Sequence, residues 1–192
     1  MQESRVLTPA EQDVVQEHIR DSLANDRLEL ERLRQATVTS TDPWHLLREA
    51  DLLRSIELWA AVERGVAAGD YTVVDGFPER LPKPTRAEVH HAQPYVFEGV
   101  ARSVVVRITP ATSQPFFDAW RYHDDQKTFL HAEAARRFNA RPHAEREALF
   151  QQFEGSRRRA EPLPAALQQV FPPGCHVDPR SLLMQDPTST PR

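Results

Sequence analysis

Between Asp42 and Gly69 the chain reads DPWHLLREADLLRSIELWAAVERGVAAG, with apolar positions running around most of a helical circumference. Leu46, Leu47, Leu53, Ile56 and Ala60 cover one side. Leu52, Leu58, Trp59, Val62 and Val66 widen the stripe beyond an ordinary amphipathic face. Such a helix needs cover on several sides, so the other elements are expected to pack around it. Asp42 suits the N-cap, Pro43 the first helical position, and Gly69 the left-handed position that closes a helix.

Upstream, Thr8 and Glu11 have capping-box spacing with Pro9 in the first turn. The helix they open, to about Ala36, puts Val15, Ile19, Leu23, Leu30 and Leu33 on one face, interrupted by Asp26. The link Thr37–Thr41 is short, so the first two helices are expected to form an antiparallel hairpin. After Gly69 the period changes from helical to strand-like. Tyr71–Val74 reads as a short strand closed by Asp75-Gly76. Prolines at 78, 82, 84 and 94 exclude a helix or a central strand, so Phe77–Pro94 reads as an irregular crossing. Tyr95–Phe97 and Val100–Ile108 are strands, the second with Val104, Val106 and Ile108 on its buried face. Glu98-Gly99 between them is either a hairpin turn or a bulge. A sheet of two or three strands is marginal alone and must lie on helices.

Thr112 or Ser113 caps a third long helix, with Pro115 in its first turn. Phe116, Trp120, His123, Lys127, Leu130, Ala134 and Phe138 share one of its sides. Asn139 can end it. Pro142 opens a fourth helix with Leu149, Phe150 and Phe153 inward, which Gly155 is expected to stop. From Phe171 on, prolines at 172, 173, 179, 187 and 191 mark a tail. The predicted fold is α+β and predominantly helical: a helix hairpin, a small antiparallel sheet, two further helices and a proline-rich tail. The expected domain spans 1–170 and the tail 171–192.

Composition narrows the function classes. The net charge of −4 gives no global attraction to nucleic acid or anionic membranes. No apolar run approaches the ~20 residues that span a bilayer. The single cysteine, Cys175, cannot form an internal disulfide, and MQESRVLTPAEQ has no apolar signal core. The expected setting is a cytoplasm without membrane attachment. Of 24 lysines and arginines only Lys83 and Lys127 are lysines. That bias suits a GC-rich, bacterial genome and lowers the weight of any arginine cluster.

The six glycines stand singly, so no phosphate-cradling loop is present, and G-x-S-x-G, H-E-x-x-H and C-x-x-C are absent. No cofactor is implied. The best candidate constellation for metal binding or acid–base chemistry is His123 and Asp124 with His131 two turns on, joined by His90 and His91 if their segment folds over the helix. Against it, His123 and His131 lie about 12 Å apart along a helix axis, with Lys127 between them. Partly buried helix histidines beside solvated aspartates are the simpler expectation. Arg157, Arg158 and Arg159 are the candidate phosphate contacts, opposed by the chain's acidity. Cys175, His176 and Asp178 hold a nucleophile, a base and a carboxylate in a proline-flanked tail that gives them no reason to meet. Trp44, Trp59 and Trp120 fit core positions. Leu182, Leu183 and Met184, with Val177, are apolar enough to dock on a groove. The expected function is that of an accessory or adaptor protein binding another protein or itself, without catalysis. The alternatives are a small enzyme or metal protein centred on His123, Asp124 and His131, and a nucleic-acid-associated regulator using Arg157–Arg159.

Overall fold

The computed structural model describes residues 6–37, 44–78 and 80–159, with backbone only at 37, 44 and 153–159. Its order is α1 (Pro9–Thr37), α2 (Trp44–Ala68), β1 (Tyr71–Asp75), β2 (Val89–Phe97), β3 (Val100–Ile108), α3 (Pro110–Asn139) and α4 (His143–Arg159). This is the α+β, mainly helical arrangement. The chain divides into two compact units, 1–124 and 125–192, at a boundary inside α3. The expected boundary at 170, the Asp42–Pro43 start of α2 and the whole tail lie outside the described residues.

In the first unit α1 begins with the capping box. The Thr8 amide donates to Glu11 Oε2 at 2.9 Å, and the Glu11 amide to Thr8 Oγ1 at 3.3 Å. α1 and α2 run antiparallel, since pairs rise along one as they fall along the other: Arg34–Glu49 (2.8 Å), Ser55–Asp26 (2.6 Å) and His18–Trp59 in ring contact. Asp26 breaks the apolar stripe of α1 because it accepts the Ser55 hydroxyl from α2. At the far end of α2 the Gly69 amide reaches Val66 O and the Asp70 amide reaches Gly65 O, with Gly69 at φ +77°. The two bonds close α2 in a Schellman motif. Leu46, expected on the covered face of α2, is 42% exposed; the first turns of an all-round apolar helix outrun the cover available.

The sheet has the order β1-β3-β2, antiparallel throughout. β2 starts at Val89, so residues 89–94 are strand and not part of an irregular crossing. Pro94 is tolerated because β2 is an edge strand. Glu98 and Gly99, at φ +50° and +79°, form a two-residue turn, and Phe97 pairs Val100. The open choice at Glu98-Gly99 resolves as a hairpin.

The inner face of the sheet carries Val73, Phe97, Val104, Val106 and Ile108, which join Val15, Ile19, Leu23, Ala61, Val62, Val66, Phe116 and Phe117 in one core. α2 approaches β3 so closely at Gly65 that an added Cβ would lie 2.4 Å from Val106 Cγ1. Only glycine permits that approach. Arg102 of β3 lies 3.7 Å from the buried Glu11 and 3.4 Å from Asp75, and the Leu7 amide donates to the Tyr71 hydroxyl. These contacts tie the start of α1 to the sheet.

Ser113 departs from helical geometry (φ −156°, ψ 73°), so the long part of α3 starts after it, with Pro115 in the first turn. The buried Ser113 hydroxyl accepts from Arg64 Nη2 at 2.8 Å.

In the second unit Leu130, Ala134 and Phe138 form a fully buried stripe, and Leu149 of α4 is buried. Glu133 receives Arg136 at 2.8 Å and Arg137 at 2.9 Å, and these bonds hold its carboxyl down at about 2. α4 continues through Gly155 to Arg159. An interior helical glycine costs only about 1 kcal/mol, too little to end a helix by itself. Arg157–Arg159 therefore belong to the last turn of α4.

Candidate functional site

Polar groups embedded in the apolar run of α2 define the site. Asp51, Arg54, Ser55 and Leu58 of α2, Pro84 from the segment before β2, Val89 and His91 of β2, and Phe116 and Trp120 of α3 line a cleft of about 450 Å³. Asp51 lies one turn from arginines on both sides and is bonded by each, Arg48 Nη1 at 3.0 Å and Arg54 Nη2 at 2.7 Å. Arg48 also reaches Glu29 of α1 through Nε at 3.1 Å. Glu29, Arg48, Asp51 and Arg54 thus form a continuous chain of alternating charge that ends at the cleft. The Glu29 bond and the two carboxylate charges together raise the Arg48 pKa above its ordinary value despite desolvation.

His91 lies on the inner face of β2, opposite Val106. Its ring meets Trp59 edge-on at 5.1 Å, and Trp59 meets His18 of α1 at 5.3 Å. His18 in turn meets Tyr95 at 5.6 Å. The Nε2 of His91 is buried without a hydrogen-bond partner, and burial, with His18 nearby, pushes its pKa down. Burial also raises the Tyr95 phenol to about 12. Trp59 is therefore packed on the core and enclosed by imidazoles, while Trp120 packs on the core and also walls the cleft.

His123 comes within 3.9 Å of Asp51 through Nε2 and 3.5 Å of Asp124 through Nδ1, yet Nδ1 has no hydrogen-bond partner. Burial and the Arg54 cation lower its pKa against the opposing pull of Asp124 and Asp51. Asp124 is exposed. His131 belongs to the second unit, where burial and Lys127 lower its pKa.

His90 and His91 are on a strand, not in a loop, and successive strand residues point to opposite faces. His91 therefore shares a cleft with Asp51, whereas His90 faces outward, hydrogen-bonded to Glu88. The His90 bond, helped by Arg107, lowers the Glu88 pKa. Among the described residues no group of three His, Cys, Asp or Glu is placed to hold a metal ion. Arg157–Arg159 have helical backbone and undescribed side chains; Val177, Leu182, Leu183, Met184 and Cys175-His176-x-Asp178 lie outside the described residues.

The residues that sequence reading passed over are Asp51, Arg54 and Ser55. Their signal was present: a carboxylate, a guanidinium and a hydroxyl inside a helix apolar on nearly every side must each find a partner. Asp26, in the stripe of α1, marked the opposite half of one such pair.

The outer face of the sheet offers a second feature. Val96 is 71% exposed and pairs Ala101, also exposed, while Val74, Ala92 and Val105 on the same face are half-buried. Ser103 among them is fully buried, its hydroxyl donating to Gly76 O at 2.7 Å. Toward the other end a concavity of about 480 Å³ is lined by Asp70, Thr72, His90, Arg107, Thr109 and Thr112. Arg107 pairs with Glu88 at 3.2 Å. Among the described residues no helix is long and apolar enough to cross a membrane. No protein-family model, curated protein or solved structure matches this chain.

Proposed function

We propose that the protein is a cytoplasmic accessory or adaptor protein that works by docking another protein, or a second copy of itself, on the outer face of its sheet. The observation that carries this reading is Val96, 71% exposed beside the exposed Ala101 on a face whose remaining valines are only half-buried. An apolar patch rimmed by polar groups is the usual surface of a protein contact. Here the rim is Thr72, His90 and Arg107 around the outer concavity. Among the described residues both flanking strands are sheet edges, so a partner strand can add to either one. The lone Cys175 fits a reducing compartment.

The test compares wild type with Val96→Glu/Ala101→Glu in sedimentation and in capture from cell extract. Both positions are exposed, so the variant should melt within a few degrees of wild type. Self-association, or a captured protein, should be present with wild type and lost with the variant. Association unchanged by the charges, or absent from both proteins, would overturn the reading.

A further inference from the structure

We infer that the cleft between α2, β2 and α3 is a binding site for a small carboxylic acid with an aromatic body. This is separate from protein docking on the outer sheet face, since the cleft lies on the opposite, helix-covered side. Its volume of about 450 Å³ falls in the range of small-molecule sites. Leu58, Val89, Phe116 and Trp120 supply apolar and aromatic walls, the composition that holds a ring.

Arg54 supplies the anchor for the anion. Among the described residues only the Nη2 of its donors is bonded to a carboxylate, Asp51, and its side chain is 38% exposed. Asp51 is shared between Arg48 and Arg54, so it takes up only part of the Arg54 charge. Glu29 in turn balances Arg48. A carboxylate arriving at Arg54 thus extends the alternating charge chain by one member without stranding any of the others. Planar guanidinium and planar carboxylate match in geometry, and desolvation by the aromatic walls strengthens the pair.

The remaining polar groups agree in sign. Asp51 is already paired with two arginines, so an ammonium there would meet a carboxylate whose charge is largely compensated. His91, whose Nε2 is buried and unpartnered, contributes a neutral ring to the wall and no competing charge. Ser55 spends its proton on Asp26 and keeps a hydroxyl oxygen on the cleft. A ligand with a ring and a carboxylate, and at most a hydroxyl or ring N–H to donate to Ser55, matches Arg54, Ser55 and the apolar walls of the cleft.

The probe is 1-naphthylacetate, with 1-naphthylacetamide and 1-naphthylethylamine as the neutral and cationic counterparts. Titration of the full chain is followed by the indole N–H resonances, that of Trp120 identified by its loss in Trp120→Phe. The acid should shift the Trp120 resonance saturably and bind at least about tenfold more tightly than the amide, the usual worth of one charge-assisted hydrogen bond. Arg54→Gln should lose that advantage while melting within a few degrees of wild type, and Arg54→Lys should keep part of it. If Arg54→Gln fails to fold, Arg54→Lys and the acid–amide comparison still decide. Equal binding of acid and amide, tighter binding of the amine, or no shift at Trp120 would overturn the assignment.

Discussion

On β3, Val104 and Val106 point inward and are at most 2% exposed, while Val105 between them points outward and is only half-buried. On β2, Phe97 is buried and its neighbour Val96 is 71% exposed. The same contrast separates His91, enclosed against Trp59, from His90, paired with Glu88 on the outside. Residue chemistry is nearly the same on the two faces; what differs is the partner. The inner face has α1, α2 and the start of α3 above it, joined in one core. The outer face is covered at Ser103 and open at Val96. Burial in this sheet thus follows what covers each position and not the residue type.

The strongest way to break that comparison is to delete side-chain volume on each face. Ile108, 1% exposed, should cost about 3 kcal/mol as Ile108→Ala, through lost burial and the cavity left behind. Val96→Ala, an exposed change, should stay within about 0.5 kcal/mol. Denaturant unfolding of the two variants measures the difference directly. Equal losses would mean that the outer face is packed in solution.

A smaller effect is expected where the inner face has no volume left to give. Gly65→Ala adds a methyl 2.4 Å from Val106 Cγ1, so α2 or β3 must move. The gain in helix propensity, about 1 kcal/mol, opposes this, and a net loss of about 1–2 kcal/mol is expected from overpacking. Combining it with Val106→Ala should cost less than the two single changes summed, since the second makes room for the first. Additive costs in that cycle would place the clash elsewhere.

The smallest effect is the acid response of the inner face. The folded-state pKa of His91 is below its ordinary value of 6.5, because burial disfavours the imidazolium. The unfolded chain then binds more protons than the folded one below about pH 6.5, so stability is full above that pH and falls as the pH drops toward the folded pKa. His123 and His131, also lowered, act in the same direction. The melting temperature should decline on acidification through this window, and His91→Phe should make the decline shallower. A slope unchanged by His91→Phe would show that the ring is hydrated in the folded protein.

Short-range chemistry was legible from the residues. Thr8 and Glu11 form their capping box, Gly69 takes the left-handed position that ends α2, and Val104, Val106 and Ile108 share the buried face that their alternation indicated. Asn139 ends α3, and Ser113 stands at the start of its long part. For the capping box, Gly69 and the β3 valines the cause lies within a few residues: a side chain satisfying a nearby amide, a glycine accepting positive φ, or period-two apolar alternation.

Other features depended on partners far away in sequence. Pro94 rules out a central strand but not an edge strand, and that residues 89–94 form an edge strand is decided by the pairing in the order β1-β3-β2. Gly155 weakens a helix by an amount that α4 absorbs, so composition could not fix where that helix ends. The cleft was hidden for the same reason. His123 and His131 drew attention because they stand close in sequence on one helix, yet the groups that meet come from α2, β2 and α3. Sequence alone determined the order of helices and strands and the buried face of β3, which follow from local hydrogen bonding and periodicity, though not the first half of β2 or the end of α4. Only the tertiary structure decided which histidine faces inward, that Gly65 touches Val106, and that Asp51, Arg54 and His91 share a cavity. Each of these depends on where two distant backbone segments are brought together, and a one-dimensional pattern does not contain that distance.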